Sequence, residues 1–306
     1  MEIKEIEFEN YGNCVQLTNG IISVIVTIAL GPRIVSFGFT DGENVLFDDL
    51  EREYFRADDP ASGKNSNFYF YGGHRLTIGQ PRTGPLFYPD NSPVVYTLLP
   101  DGVSFLPPKQ KNTEIQTCFE IVMGEDASDV MIVHTAKNCS KEVQTFGLRS
   151  STQFGGGGTV LLPQNSDQDE QDQPIRTLAL WPKTDIHDRR IFLGNRFFTF
   201  AHDMQEERPL RVGINDVFGW AAYVGPKYTV MKRYVHNPQA SYPDFGCSLE
   251  VGFQKNYAEI TSLSPIFRVE PGEGIKHVEN LSLSRTRNSV NPVDEEGIAG
   301  FINRLK

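Results

Sequence analysis

The sequence of 306 residues predicts an all-β fold, either a sandwich or a barrel. Three observations predict this fold class. Short segments of alternating apolar and polar residues recur along the chain, turn dipeptides separate them, and few stretches between them have helical periodicity. The 27 glycines and 19 prolines are typical of a chain with many turns. We therefore expect two sheets packed face to face or one closed sheet.

The first strands are predicted between residues 14 and 49, where the pattern indicates two or three. The dipeptides Asn19-Gly20, Gly31-Pro32 and Asp41-Gly42 separate them, because Gly and Asn accept positive φ and Pro presets a turn. Later strands are predicted at Val94–Leu99, Thr113–Met123, Val130–Thr135, Thr145–Ser151, Thr159–Leu162, Arg176–Leu180, Phe197–Ala201, Trp220–Val224, Tyr228–Tyr234, Cys247–Phe253, Tyr257–Ser262, Phe267–Val269 and His277–Leu283.

The C-terminal end is the one stretch that clearly predicts a helix, at about residues 292–305. Asn291 and Pro292 supply an N-cap and a first helical residue. An apolar stripe with i, i+3, i+4, i+7 spacing follows and predicts packing on the sheet. The stripe consists of Ile298, Phe301, Ile302 and Leu305. No linker divides the chain, so we expect one domain spanning residues 1–306.

The composition excludes some partners. A formal net charge of −10 leaves no dominant basic surface for nucleic acid or an anionic membrane. No apolar run reaches the length of a membrane span, and the N-terminus does not resemble a signal peptide. The four cysteines have no metal-ligand spacing, which favours free thiols in a reducing compartment. We expect a cytoplasmic location, no metal and no organic cofactor; the sequence does not indicate any protein partner.

Several catalytic motifs are absent from the sequence. The glycines at 155–158 are not followed by the Lys-Ser/Thr pair of a P-loop, and strand patterns rather than a helix surround them. No G-x-S-x-G, HExxH or dinucleotide-binding fingerprint occurs. Nucleotide binding and Ser-His-Asp catalysis therefore have no support.

What remains is a set of polar and aromatic side chains within strand-like segments. Carboxylates and amides bind hydroxyl pairs, arginines donate in a fixed geometry, and aromatic faces cover C–H patches, so this mixture favours a small-molecule carbohydrate as the ligand. The Gly72-Gly73 pair lies directly before His74 and Arg75. Because glycine has no side chain, the pair also suggests that another group approaches the backbone closely there. The candidate binding residues are Arg33, Arg75, Arg82, Tyr88, Asp90, Asn91, Gln153, Trp181, Asp185, Lys232, Tyr242 and Asp244, with His74 beside them.

Segments along nearly the whole chain resemble the galactose mutarotase-like superfamily of aldose 1-epimerase type, and within it a DUF4380-type branch. The segments are LTNGIISVIVTIALGPRIVSFGF, YGGHRL with FYPDNSPV, LLPQ with LALWPKTD, GWAAYVG, YPDFGCSLEV, YAEITSLSP and VEPGEGIKHVENLSL. The resemblance implies a β-supersandwich that uses no cofactor. It also implies that a glutamate takes a proton from the anomeric hydroxyl while a histidine protonates the ring oxygen.

The resemblance places some family roles on this sequence. Arg75 lies where the family has a sugar-binding arginine, and Pro89–Asn91 lies where it has a first histidine. Gln153 lies near the expected catalytic histidine, and glutamine cannot shuttle a proton at neutral pH. His74 is therefore our candidate proton donor.

Two glutamates match the family's base. Glu250 matches by residue type and by its distance to the PGE segment, whereas Glu259 lies in the strand directly before that segment. If the two strands form a hairpin, we expect only one of the two to point into the concave face, and we favour Glu259.

Three functions stay open from the sequence. The first is an enzyme of the mutarotase class, which would interconvert the anomers of an aldose or a sugar derivative. The second is a carbohydrate-binding module that has lost the acid, which the glutamine at position 153 favours. The third is a structural or interaction protein without a small ligand.

Overall fold

The computed structural model describes residues 1–56, 67–80, 84–86, 88–166, 174–286 and 289–305. Most of the regular structure in these residues is β-strand. The strands are β1 (Glu2–Glu7), β2 (Asn13–Thr18), β3 (Ile22–Thr27), β4 (Ile34–Phe39), β5 (Phe55–Arg56), β6 (Phe68–Tyr69), β7 (His74–Gln80), β8 (Gly84–Leu86), β9 (Val95–Leu99), β10 (Gly102–Leu106), β11 (Ile115–Met123), β12 (Asp129–Asn138), β13 (Gln144–Gly155), β14 (Thr159–Pro163), β15 (Leu178–Leu180), β16 (Ile191–Leu193), β17 (Phe197–Ala201), β18 (Leu210–Ile214), β19 (Trp220–Val224), β20 (Tyr228–Tyr234), β21 (Leu249–Phe253), β22 (Tyr257–Leu263), β23 (Phe267–Val269) and β24 (Gly274–Arg285). The helices are a 3₁₀ turn at Glu9–Tyr11, α1 (Pro243–Gly246) and α2 (Glu295–Asn303).

Two large antiparallel sheets contain nearly all of these strands. The first sheet has the order β1-β2-β3-β4-β7-β13-β22-β21-β18-β15, and β8 and β23 pair with β7 and β13. The second sheet has the order β16-β17-β14-β19-β20-β24-β12-β11-β10-β9. Strands β5 and β6 form a small separate pair. This architecture confirms the predicted all-β sandwich.

The core lies between the two sheets and receives alternate residues from each. Val24 and Phe37 of the first sheet and Phe119 and Ile132 of the second are buried in the same cluster. Strand β11 shows the period of two, since every second residue from Phe119 to Met123 is buried. One continuous cluster extends in sequence from residue 15 to residue 283, and for this reason we propose that residues 1–306 form one domain.

The C-terminal helix packs against the second sheet, as its apolar stripe predicted. Ile298, Phe301 and Ile302 are buried against Leu161 and Met231. The predicted start of the helix was early by about one turn. Asp294 is the N-cap, and its Oδ1 accepts a hydrogen bond from the Gly297 N–H at 3.0 Å. Residues 291–294 instead form a turn that precedes the helix, because the Asp294 N–H donates to the carbonyl oxygen of residue 291.

Most predicted strands occur within one to three residues of their predicted ends. Four of them, β17, β19, β20 and β23, begin and end where the alternation placed them. No helix in the described ranges is both long and apolar enough to cross a membrane.

Replacing Phe301 with Ala should lower the free energy of unfolding by about 3–5 kcal/mol, because it removes a buried ring from the contact between α2 and the second sheet. Chemical denaturation followed by circular dichroism measures this change. The exposed Asn303 of the same helix provides the control, and Asn303→Ala should leave stability nearly unchanged. Equal effects of the two substitutions would show that α2 does not pack as described.

Candidate functional site

A cavity lies on the outer, concave face of the first sheet, across β7, β13, β22, β21 and β18. Antiparallel partners point to the same side of a sheet, so the strand register defines which residues share this face. Arg75 lies opposite Ser151, and Glu259 lies opposite both Gln153 and Gly252. These strands therefore present a row of polar side chains on the side away from the core.

The cavity has a volume of about 380 Å³, which is within the range of small-molecule pockets. Its walls combine charged, hydroxyl and aromatic groups. The lining residues are Phe70, Arg75, Thr77, Arg149, Ser151, Trp181, Pro182, Lys183, Thr184, Pro209, Leu210, Arg211, Gly252, Phe253, Gln254, Tyr257 and Glu259. Lys183 is exposed, so the cavity opens to solvent at this side.

Arg75 provides hydrogen-bond donors at one end of the cavity. Its Nη2 donates to Asp90 Oδ2 at 3.1 Å, and its guanidinium lies over the Phe68 ring at 4.3 Å. Burial and the neighbouring Arg33 together lower the pKa of Arg75 to about 9, although Asp90 opposes the shift. The Nε and Nη1 groups have no hydrogen-bond partner among the residues that the structure describes, although the side chain is only 5% exposed. A buried donor of this kind favours a ligand that accepts hydrogen bonds.

Glu259 provides the acceptor on the neighbouring part of the wall. Its Oε2 accepts a hydrogen bond from Gln153 Nε2 at 2.8 Å, and its Oε1 accepts one from Thr261 Oγ1 at 3.3 Å. In the described part of the chain no lysine or arginine forms a salt bridge with this carboxylate. Glu259 is half-buried and lines the cavity, so its lone pairs are available to a ligand hydroxyl.

Glu250 is also on the cavity side of the sheet, but both of its carboxylate oxygens already accept hydrogen bonds from arginines. Its carboxylate accepts hydrogen bonds from Arg149 Nη2 at 2.5 Å and from Arg211 Nε at 2.9 Å. Burial raises the pKa of Glu250, but the two guanidinium groups outweigh burial and hold this pKa below its ordinary value. The carboxylate is therefore an ionised anchor for two arginines.

The expectation that only one glutamate could point into the concave face was wrong. Gly252 lies opposite Glu259, and Glu250 is two residues from Gly252 on the same strand. A spacing of two returns a side chain to the same face, so Glu250 and Glu259 both point outward. The two carboxylates differ in their surroundings. Arg149 and Arg211 form ion pairs with Glu250, whereas Glu259 has no salt bridge among the described residues.

Aromatic side chains supply the apolar part of the cavity. Trp181 is half-buried and lies under the Arg211 guanidinium, 5.0 Å from the ring centroid. Tyr257 stacks on Phe47 with a centroid distance of 5.0 Å and makes an edge contact with Tyr54 at 5.1 Å. These contacts fix the orientation of the two cavity-lining rings, which can cover the C–H patches of a sugar.

His74 lies on the opposite side of its strand from Arg75 and does not line the cavity. It is completely buried, its Nδ1 is 2.8 Å from Thr152 Oγ1, and its Nε2 is 3.0 Å from His134 Nε2. This position excludes direct proton transfer between His74 and a ligand in the cavity. Lys232 lies in the same interior region, where its Nζ donates to the Ser150 carbonyl oxygen at 2.8 Å. Its predicted contact with a ligand is likewise absent.

Several predicted binding residues lie around Asp90, the carboxylate that pairs with Arg75, rather than in the cavity. Arg33 is completely buried, and its Nη1 donates to the Asp90 carbonyl oxygen at 3.1 Å. Asn91 Oδ1 accepts from the Tyr71 hydroxyl at 3.1 Å. The Tyr88 carbonyl oxygen lies 3.5 Å from Arg75 Nη2. None of these side chains is among the described cavity-lining residues, and the direct polar contacts of Arg75 are with Asp90 and the Tyr88 carbonyl oxygen.

The remaining predictions fall at the rim or elsewhere. Asp244 Oδ2 accepts from Arg149 Nη1 at 2.8 Å, which places Asp244 beside the cavity. Asp185 is exposed and accepts a hydrogen bond from the backbone of His187 within a turn. The Tyr242 ring stacks on a histidine at position 236 away from the cavity. Arg82 lies outside the described residues.

Arg149 and Arg211 were not predicted from the sequence. A signal for Arg149 was present, since counting back from Gln153 in steps of two along the strand gives Ser151 and then Arg149. Arg211 had no such signal, because its place beside Glu250 depends on the pairing of β18 with β21.

Comparisons with known proteins identify the fold. A galactose mutarotase-like protein from Lactobacillus casei has a TM-score of 0.57 and 9% sequence identity, with 89% of this chain and all of that chain covered. A candidate aldose 1-epimerase from Klebsiella pneumoniae has a TM-score of 0.59 and 10% identity, with 99% of this chain and 86% of that chain covered.

A longer protein also matches. A TPR-domain containing protein from Parabacteroides distasonis has a TM-score of 0.62 and 14% identity, and 91% of this chain aligns with it. This chain spans 48%, or about half, of that protein. No protein-family model matches the sequence, and no curated protein does either. At these identities the similarity establishes the galactose mutarotase-like fold.

Replacing Glu250 with Gln should lower the free energy of unfolding at pH 7 by about 3–5 kcal/mol, because it removes the carboxylate that two guanidinium groups share. Arg211 then has no ion pair among the described residues, and the buried Arg149 keeps only its pair with Asp244. The folded-state pKa of Glu250 is lowered, so its charge stabilises the fold above the unfolded pKa of about 4.3. That contribution disappears as the pH falls through the lower folded-state pKa. The difference between wild type and variant should therefore be full at pH 7 and shrink below about pH 4.

Denaturation midpoints measured between about pH 3 and pH 7 test the ion pairs of Glu250 with Arg149 and Arg211. Glu43, which pairs with Lys227 at the surface, provides the matched control, and Glu43→Gln should change stability little at any pH. A pH-independent effect of Glu250→Gln would contradict the assigned role of its charge.

Proposed function

We propose that the protein binds a monosaccharide or a monosaccharide derivative in the cavity of the first sheet. One observation carries this proposal. The same cavity of about 380 Å³ is lined by the Arg75 guanidinium, by the Glu259 carboxylate, which has no salt bridge among the described residues, and by the Trp181 ring. The galactose mutarotase-like fold of the chain supports the same ligand class, since the structural relatives include proteins described as mutarotase-like and aldose 1-epimerase-like.

The chemistry of the walls matches a sugar ring. A hydroxyl oxygen can accept from the Arg75 guanidinium, and a neighbouring hydroxyl can donate to Glu259. Charge-assisted hydrogen bonds of this type are stronger than neutral ones. Trp181 and Tyr257 can cover the apolar faces of the ring, while Ser151 and Thr77 offer further hydroxyl contacts.

Arg75→Gln should weaken binding of the preferred sugar at least tenfold, since a hydrogen bond to a charged group contributes about 1.5–3 kcal/mol. Saturation-transfer NMR with a panel of aldoses, uronic acids and sugar phosphates would identify the ligand, and calorimetry would measure its affinity. Arg268 is exposed on β23, and Arg268→Gln should bind like the wild type. Failure of the wild type to bind any sugar in the panel would instead favour a structural or interaction protein.

A second candidate function is interconversion of the anomers of the bound sugar. The observation that favours it is the Glu259 carboxylate, which lines the cavity without a salt bridge among the described residues and can take the proton of an anomeric hydroxyl as a general base. Ring opening also requires a proton at the ring oxygen. None of the described cavity-lining residues is a histidine, so we propose that Arg75 stabilises the negative charge developing there and that water supplies the proton.

Glu259→Gln should reduce anomer exchange to the rate in buffer, because an amide cannot act as a base at neutral pH, while sugar affinity should stay within a few-fold of the wild type. Two-dimensional exchange NMR measures the rate directly with the sugar identified in the binding screen. Wild-type protein that binds this sugar but does not accelerate exchange would rule out catalysis and leave a binding module. Glu273→Gln at the exposed turn before β24 serves as the control.

A further inference from the structure

A compact cluster of donor atoms lies in the interior directly behind the cavity. Two of its members come from the first sheet, His74 on β7 and Ser150 on β13. The other two come from the second sheet, His134 on β12 and Glu279 on β24. All four side chains are at most 1% exposed. This cluster therefore bridges the two sheets at the centre of the sandwich.

The four donor atoms lie at the corners of a small tetrahedron. His74 Nε2 and His134 Nε2 are 3.0 Å apart, and Glu279 Oε2 is 3.6 Å from the first and 3.4 Å from the second. Ser150 Oγ is 3.2 Å from His74 Nε2, 3.0 Å from His134 Nε2 and 2.6 Å from Glu279 Oε2. All six edges thus lie between 2.6 and 3.6 Å.

These edges match the spacing of ligands around a small metal ion. Tetrahedral Zn²⁺ with nitrogen and oxygen ligands at about 2.0–2.1 Å has edges of about 3.3 Å. Two imidazoles, a carboxylate and a hydroxyl form a donor set that suits a divalent ion of the zinc type. Three ligand-type side chains from three strands also converge on one buried point.

The surrounding residues hold two of these donors in the required orientation. Lys232 Nζ lies 2.8 Å from Glu279 Oε1, and Ser262 donates to the same oxygen. This arrangement leaves Oε2 facing the other three donors. Thr152 Oγ1 is 2.8 Å from His74 Nδ1, which directs the Nε2 of that ring toward the centre. Partners of this kind typically orient the ligands of a metal site.

We propose that His74, His134, Glu279 and Ser150 bind one divalent transition-metal ion, of which Zn²⁺ is the best match. The ion would connect the two sheets directly behind the cavity floor, because His74 precedes Arg75 and Ser150 precedes Ser151. Since the cluster is fully buried, the ion would enter during folding and contribute to stability. The Lys232 ammonium repels a cation, so we expect the ion to be lost when either imidazole is removed.

Metal analysis of the full chain tests the proposal. The chain, with any affinity tag removed, is unfolded in guanidinium with a chelator and refolded with or without Zn²⁺. Inductively coupled plasma mass spectrometry should find about one equivalent of zinc per chain after refolding with the metal. The melting temperature should be higher by several degrees in the zinc-loaded sample, because the ion binds the folded state. Refolding with Co²⁺ should give the visible absorption bands of a tetrahedral ion.

Variants assign the site. His134→Asn should reduce the zinc content at least tenfold, whereas His202→Asn should retain it, because His202 is buried elsewhere and bonds to the Gln254 carbonyl oxygen. The proposal is overturned if the refolded wild type takes up no zinc and melts at the same temperature with and without it. Equal zinc content in His134→Asn and wild type would also overturn it. Where His134→Asn does not fold, the wild-type reconstitution decides the question.

Discussion

The alternation of side chains along β7 and β13 is the constraint on which the rest of the structure depends. Each strand sends successive residues to opposite faces, so one short segment serves both the cavity and the core. Arg75 and Ser151 point into the cavity, while their neighbours His74 and Ser150 point between the sheets. A shift of one residue in the pairing would exchange these two sets, placing the histidine in the cavity and the arginine in the core.

The charges of the cavity follow from the same register. Arg211 lies on the strand next to that of Glu250 and Arg149 lies two strands away on the other side, and the one carboxylate pairs with both. Arg75 and Glu259 remain as a charged donor and a charged acceptor for a ligand, beside the hydroxyls of Ser151 and Thr77. A site with one free donor set, one free acceptor and aromatic walls is suited to neutral, hydroxyl-rich molecules, which is why a sugar fits it better than a nucleotide or a peptide.

The sequence predicted the sandwich well, because period-two alternation and turn residues are local signals that read directly as strands. It also identified Arg75, Trp181 and Glu259, whose residue types matched carbohydrate chemistry. It misplaced His74, since a histidine beside an arginine in a strand must face the other way, and adjacency in sequence was taken for adjacency in the site. The cluster around Glu279 had no local signal, because its members lie on four strands and meet only through sheet packing.

The most direct test is a crystal structure of the protein with a bound sugar from the binding screen. The account predicts electron density for one sugar ring in the cavity of the first sheet, with hydroxyl oxygens about 3 Å from the Arg75 guanidinium and from the Glu259 carboxylate. It also predicts that one face of the ring lies against Trp181. Density for the ring at another surface, with this cavity empty of sugar at saturating concentration, would contradict it.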